Sequence, residues 1–299
     1  MAGPIVVAGE ALADLVANAV GGYDAHLGGG PFTAARTLAR LGQGGRDVFF
    51  AGALSTDGLG TRMREALVAD GVRLDAVQLV DAPTTLAVVD VGTDGAAEYR
   101  FYTEGTSAPA LSAVTLPSGL GALHVGTLGL VLEPMATVIE DLVTGAPLDT
   151  LVVVDPNCRP SLILDRAAYR GRLDRVLARA DLLKASVEDL AYLEPDARPA
   201  EAARRLGTPA VVTAGADGAL AVTRENVVEV PARRVRVVDT IGAGDAFGGG
   251  LLAWWIESGL TRSALGDAAA LAQAAAFGAR VAAHVVSRAG ADPPWRREL

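Results

Sequence analysis

Short apolar runs recur along this chain with helix-length amphipathic segments between them, and that alternation restricts the fold more than any other feature. The runs are PIVVAG, DVFFAGAL, ALHVG, LVVVDPN, DLLKA, AVVTAG and RVRVV; between them lie PFTAARTLARLG, GTRMREALVADG, EPMATVIEDLV, YRGRLDRVLARA and AEAARRLG. Continuous apolar runs mark strands buried on both faces, and joining them through helices gives βαβ units. The expected fold is therefore α/β, with a mostly parallel central sheet covered by helices. Two stretches break the rhythm. TTLAVVDVGTDGAAEYRFYTE reads as a hairpin turning at GTDGA, and ADLVANAVGGYDAHLGGG lacks helical period. They predict a small β-sheet lid, residues 12–28 and 84–104, on a single domain spanning residues 1–299. Its edges and apolar residues such as Leu86, Val88 and Val89 invite partners.

The charge balance excludes whole classes of partner. With 26 basic and 35 acidic residues the net charge is −9, which argues against nucleic acid and against an anionic membrane. Cys158 is the single cysteine, so no internal disulfide can form and a reducing, cytoplasmic setting is expected. The first basic residue is Arg36, which leaves the N-terminus without the basic region of a signal peptide. The Ala-rich stretch ALGDAAALAQAAAFGARVAAHVV is interrupted by Asp267, Gln273, Arg280 and His284 and reads as a packed helix. Lys184 is the sole lysine and follows no G-x-x-x-x-G, so a Walker-type grip on phosphates is excluded. His26, His124 and His284 are far apart, with no Cys/His cluster for zinc, and no G-x-S-x-G elbow supplies a hydrolase nucleophile.

The segment VVDTIGAGDAFGGGLLAW, residues 237–254, concentrates the chemistry. Glycine costs a helix about 1 kcal/mol relative to alanine, yet Gly242, Gly244, Gly248, Gly249 and Gly250 crowd its first turns. Such a run implies that the backbone must approach something closely, and an anion fits. Gly242, Ala243 and Gly244 offer N–H groups at a helix N-terminus, where the helix dipole favours negative charge. Asp245 is then placed to accept a proton from a substrate hydroxyl in line with a transferring phosphoryl group. A plainer reading stays open on these residues alone: Asp245 complements the dipole and the glycines permit close helix packing. A dinucleotide fingerprint fits poorly, because Phe247 stands at the third glycine.

DTIGAGDAFGGGLL resembles, at every defining position, the C-terminal signature of the ribokinase-like (PfkB) carbohydrate kinases. The resemblance implies a three-layer α/β/α fold with a lid, Asp245 as catalytic base, and Gly242, Ala243 and Gly244 as anion hole. Further segments between residues 9 and 294 agree, and in order. GEALADLV is similar to the first strand and turn of bacterial fructokinases, which gives Asp14 to the sugar hydroxyls. GGGPFTAARTLARLG stands at the N-terminal signature, with Gly28 and Gly29 as the sugar-contacting pair, and RFYTEGTSAP brings Phe101 to the substrate. GALSTDGLG, LHVGTLGLVLEP and SRAGADPP also look like fructokinase segments. DPNCRPSL implies Asn157 and Arg159 near the sugar or the transferring phosphate. KASVEDLAYL stands at the acidic motif that organises Mg²⁺ through water, here Asp189 with Glu188, and the same stretch gives Lys184 and Ser186 to the nucleotide side. VVTAGADGA resembles the nucleotide-binding turn, with Thr213, Gly215 and Gly218; Asp239 and Thr240 join that set. ATP and Mg²⁺ are the cofactors implied, together with a monovalent cation such as K⁺, and because lids of this family often pair across a dimer, the resemblance also implies a homodimer through the lid.

Two departures bear on the substrate. Thr33 stands where the family usually carries asparagine, which exchanges an amide for a shorter hydroxyl with one donor. Asp189 stands one methylene short of the usual metal-organising glutamate. In YRFYTEGT the position that binds a sugar carboxylate in acid-sugar kinases is Thr103, next to Glu104, so a neutral ketose such as fructose fits better than an acid sugar. The expected activity is ATP-dependent phosphorylation of a sugar hydroxyl. A 2-keto-3-deoxygluconate or nucleoside kinase is the first alternative, and a non-catalytic sugar or nucleotide sensor the second.

Overall fold

The computed structural model describes residues 3–18, 20–42, 44–91 and 97–299. In chain order the strands are β1 (Ile5–Ala8), β2 (Leu12–Ala17), β3 (Tyr23–Gly28), β4 (Val48–Ala51), β5 (Ala53–Ser55), β6 (Val72–Arg73), β7 (Gln78–Val80), β8 (Leu86–Val91), β9 (Ala97–Tyr102), β10 (Ala122–Gly126), β11 (Leu151–Asp155), β12 (Leu182–Ser186), β13 (Ala210–Thr213), β14 (Ala219–Val222) and β15 (Val227–Val230). The helices are α1 (Gly30–Leu41), α2 (Gly58–Ala69), α3 (Met135–Thr144), α4 (Arg166–Arg179), α5 (Val187–Leu193), α6 (Pro199–Arg205), α7 (Ala243–Glu257) and α8 (Ala268–Val286).

The central sheet runs β15-β14-β13-β12-β11-β10-β1-β4-β6. It is parallel from β13 to β6, and only β14 and β15 run antiparallel at one edge. Period-two side-chain alternation divides each apolar run between two cores. Ile5, Val7, Leu151 and Val153 pack with α1, α7 and α8, whereas Val6, Ala8, Val152 and Val154 pack with α3, α4, α5 and α6. That is a three-layer α/β/α fold.

The lid is a separate sheet, β3-β2-β8-β9. The β8–β9 hairpin pairs Leu86 with Tyr102 and Val91 with Ala97; its expected GTDGA turn lies outside the described residues. Asp14, Ala87 and Phe101 are cross-strand neighbours, so they share one face with Val89 and Tyr99. Leu15, Leu86, Val88 and Tyr102 lie on the other. Val89 was expected to face a partner but is 4% exposed, because the alternation turns it inward.

Three expectations need correction. DVFFAGAL is not one strand: β4 joins the central sheet, while β5 leaves it to pair with β7. RVRVV is not a strand either. Its Arg/Val alternation mimics one, but the segment has no strand beside it, and Val238 N–H bonds Val286 O at the end of α8 (2.7 Å). Finally, Gly249 and Gly250 serve packing, not an anion. A Cβ on Gly249 would lie 2.8 Å from Thr37 of α1, and one on Gly250 2.8 Å from Val281 of α8. Close packing on both flanks is what lets an apolar α7 sit buried between two helices. By length and composition α8 is apolar enough to cross a membrane, but here it packs against α7, β14 and β15.

Candidate active site

In an open parallel sheet, ligands sit beyond the carboxyl ends of the strands where the order reverses. That point here lies between β1 and β10: from β1 the chain continues through β4 and β6 on one side, then returns to build β10 to β13 on the other. Glu10 and Thr127 follow the ends of these two strands, and Asn157 follows β11. All three line a cavity of about 460 Å³ that the inner face of the lid covers. Around it stand Asp14, Gly28, Gly29, Thr33, Phe101, Asn157, Arg159, Gly242 and Asp245, residues scattered over the chain from position 14 to position 245. The C-terminal segment closes the remaining side, with Ala291 in the wall and Gly290 N–H bonded to Asp239 Oδ2 (2.8 Å).

Three carboxylates face this space. Asp245, in the first turn of α7, is half-buried; burial holds its carboxyl above the usual carboxylate range, with Lys184 and Arg159 pulling the other way. Asn157 Nδ2 donates to its Oδ1 at 3.3 Å. Asp14 is buried on the lid strand β2, and burial, reinforced by the charge of Asp245, pushes it up to about 7. Gly28 is a glycine for its sake: a Cβ there would lie 2.1 Å from Asp14 Oδ2. The third, Glu10, is fully buried and pushed up to about 8 by burial. Only Arg159 offers positive charge within this wall, and its guanidinium is tied to Asn157 O (3.1 Å), Asn157 Oδ1 (2.6 Å) and Cys158 O (3.1 Å).

A second cavity, of about 1480 Å³, opens on the other side of the same helix end. Thr213, Gly215, Gly218, Thr240, Ala243 and Gly244 line it, joined by an apolar wall of Val235, Phe247, Ala279, Ala283 and Val286. The N-terminal turn of α7 is therefore a partition: Gly242 and Asp245 face the first cavity, Ala243 and Gly244 the second. Gly242 caps the helix at φ 72°, a left-handed conformation that glycine adopts without strain. The N–H of Ala243 is turned back to Thr240 O (3.3 Å), so it is not a free donor as expected. Among the described residues the N–H groups of Gly242, Gly244 and Asp245 have no backbone partner, which leaves three donors at the positive end of the helix.

Four residues expected at the nucleotide or metal act as supports. Lys184 is buried against Asp155 (2.8 Å) beneath Gly244, whose Cβ would lie 3.3 Å from Nζ. Asp239 bonds the N–H of Ile241 (3.0 Å) and of Gly290, fixing the loop before α7. Ser186 and Asp189 form a capping box at the start of α5, and Asp189 also accepts Cys158 N–H (2.6 Å). Glu188 is exposed beside them. No group of three or more His, Cys, Asp or Glu among the described residues is placed to hold a metal. This donor set fits a metal only if the nucleotide phosphates carry it and water bridges it to Asp189 or Glu188.

Sequence reasoning missed Glu10, Gly30, Tyr99, Thr127, Ala291 and the apolar wall of the second cavity. An acid inside the apolar run VVAGEALADL was a usable signal for Glu10. The alanines and valines carried none, because the same residues line every core.

The model of a family described as pfkB family carbohydrate kinase matches residues 4–297. A fructokinase of Rhizobium leguminosarum bv. trifolii is 35% identical over 261 residues, covering 83% of this chain and 78% of the relative. The crystal structure of a fructokinase from Xylella fastidiosa with bound ATP superposes with a TM-score of 0.83 at 28% identity, covering 96% of this chain and 93% of that one. A double mutant of the Vibrio cholerae O395 fructokinase, with fructose, ADP and potassium ion bound, gives a TM-score of 0.83 at 26% identity, covering 97% and 94%.

Proposed function

From the premise that this chain belongs to the pfkB family of carbohydrate kinases, we propose that it transfers the terminal phosphoryl group of ATP to a hydroxyl of fructose or a similar neutral ketose. One observation carries this reading: the N-terminal turn of α7 is shared between a carboxylate-lined cavity and an apolar one. The sugar takes the first cavity, where Asp14 and neighbouring polar groups match its hydroxyls. The nucleotide takes the second, with its base on the apolar wall and its phosphates at the helix end.

Asp245 accepts the proton of the attacking hydroxyl, whose oxygen bonds the phosphorus as the bond to the ADP oxygen breaks. The unpartnered N–H groups of Gly242, Gly244 and Asp245 stabilise charge on the phosphoryl oxygens in flight. Magnesium, carried by the phosphates, supplies further charge neutralisation when bound. A neutral substrate is favoured because Arg159, the one cation of this wall, is already tied to Asn157 and Cys158, while a sugar carboxylate would meet Asp14 and Asp245. The fructose, ADP and potassium ion of the Vibrio cholerae structure support the same choice, and a monovalent cation is part of the proposal.

The test is ATP consumption with fructose, 2-keto-3-deoxygluconate, ribose and adenosine, in potassium and in tetramethylammonium buffers. Fructose should turn over fastest, and faster in potassium. Preference for the acid sugar or the nucleoside would overturn the substrate, and ATP binding without turnover on any of them would favour a sensor. The outer face of the lid carries Leu15, Leu86, Val88 and Tyr102, the last 53% exposed, and we read it as the contact with a second copy. Light scattering should give twice the 30.5 kDa chain mass; a monomer rejects that contact.

A further inference from the structure

Thr127 has the most demanding backbone in the site and no part in the motifs. Among the described residues only Thr127 (φ 53°) and Asn157 (φ 38°) are non-glycine residues at positive φ. For a β-branched residue this region is strained by about 1–3 kcal/mol, and such strain persists only where the surroundings impose it. Glu10 imposes it here. Its Oε2 accepts the N–H of Gly129, two residues beyond Thr127 (3.3 Å), and its Oε1 accepts the N–H of Gly30 at the start of α1 (3.0 Å). One buried carboxylate thus ties the turn after β10 to the start of the helix that follows the Gly28-Gly29 pair.

The clamp aims the Thr127 hydroxyl at the reacting end of the cavity. A Cβ on Gly30 would lie 2.4 Å from Thr127 Oγ1 and 3.0 Å from Asp245 Oδ1, so both oxygens converge on the same point. Thr127 lines the sugar cavity, and its hydroxyl makes no hydrogen bond within the described part of the chain. A strained residue, held by a dedicated buried clamp, offers a free hydroxyl beside the base.

We propose that Thr127 is a further substrate-contacting residue, whose hydroxyl holds the acceptor end of the sugar against Asp245, with Glu10 as its positioning residue. The proposal rests on the reading of the cavity as a sugar site. Thr127 O–H donates to the acceptor oxygen while that oxygen's own proton faces Asp245, which narrows the attacking group to one orientation. No step beyond the phosphoryl transfer already written is added.

Steady-state kinetics on Thr127→Val, Thr127→Ser and Glu10→Gln, with the wild type in parallel, test it. Valine keeps the β-branched shape and removes the hydroxyl. It should lower kcat/KM for the sugar about tenfold, the size of one lost hydrogen bond in the transition state, and leave the KM for ATP within about twofold. Serine should restore the sugar kinetics to within about threefold, and Glu10→Gln should lose sugar turnover with the same selectivity. A valine variant that matches the wild type, an equal rise in the KM for ATP, or no rescue by serine overturns the role of Thr127. A wild type that phosphorylates no sugar overturns the kinase reading first, and this proposal with it.

Discussion

On the function proposed above, the two cavities that meet at α7, a sugar side and a nucleotide side, solve different recognition problems with different materials. The sugar side is narrow and polar: three carboxylates, one arginine and glycines that leave no room for a methyl group. The nucleotide side is three times larger and built mainly from backbone, alanine and valine. A sugar presents hydroxyls on every face, so discriminating it takes charged acceptors held at fixed points. A nucleotide presents an apolar ring and a polyanion, which a greasy wall, the helix N–H groups and Arg233 and Arg234 at the cavity edge serve without any lysine. The contrast also locates the cost. Burial raises Glu10, Asp14 and Asp245 above the ordinary carboxylate range, and the charge of Asp245 adds to the rise at the other two.

That contrast can be broken in graded ways. Asp245→Asn should reduce kcat by about 10²–10⁴-fold while leaving ATP affinity nearly unchanged, since the side chain faces the sugar. Near-normal turnover in that variant would remove Asp245 from the role of base. Two alanine substitutions then compare the walls. Gly28→Ala drives a methyl group into the Asp14 carboxylate and should raise the KM for the sugar about tenfold or more, with ATP spared. Gly244→Ala meets only the tip of Lys184, at 3.3 Å, and should raise the KM for ATP by no more than about fivefold. Equal effects on both substrates in either variant would mean that the helix end is not a partition.

The smallest effect is thermodynamic. Burial pushes Glu10 up to about 8 in the folded chain, from 4.5 for a free glutamate, so the folded state holds the proton more tightly. Its contribution to stability is complete below the unfolded value and is lost as pH rises through about 8. Glu10→Gln cannot ionise, so its Tm should gain on that of the wild type as pH rises from 5 to about 8 and level off above that. A constant difference between the two melting curves over that range would show that Glu10 does not titrate there. Asp14, shifted in the same direction, stays in both proteins and cancels.

Much of the architecture was legible because it depends on local patterning. Apolar runs of four or five residues without alternation can only be strands covered on both faces, and β1, β10 and β11 are that. RVRVV misled for the complementary reason: alternation shows what a strand needs, not whether a neighbouring edge exists to receive it. The D-T-I-G-A-G-D segment could be assigned to a helix N-terminus because glycine and a first-turn acid have few other uses together. Yet the glycine run does not say which of its members pack on helices and which line a cavity: Gly249 and Gly250 meet Thr37 and Val281, whereas Gly242 and Gly244 stand in cavity walls.

By itself the sequence determined the layers and the small separate sheet, which follow from residue type and short-range spacing. The tertiary structure decided which groups share a cavity, and so which protons interact. Glu10 became a buried clamp and Thr127 a strained hydroxyl beside Asp245, because contacts across more than a hundred residues fix desolvation and hydrogen-bond partners. Those quantities depend on what surrounds a side chain in space, which the order of residues along the chain does not state.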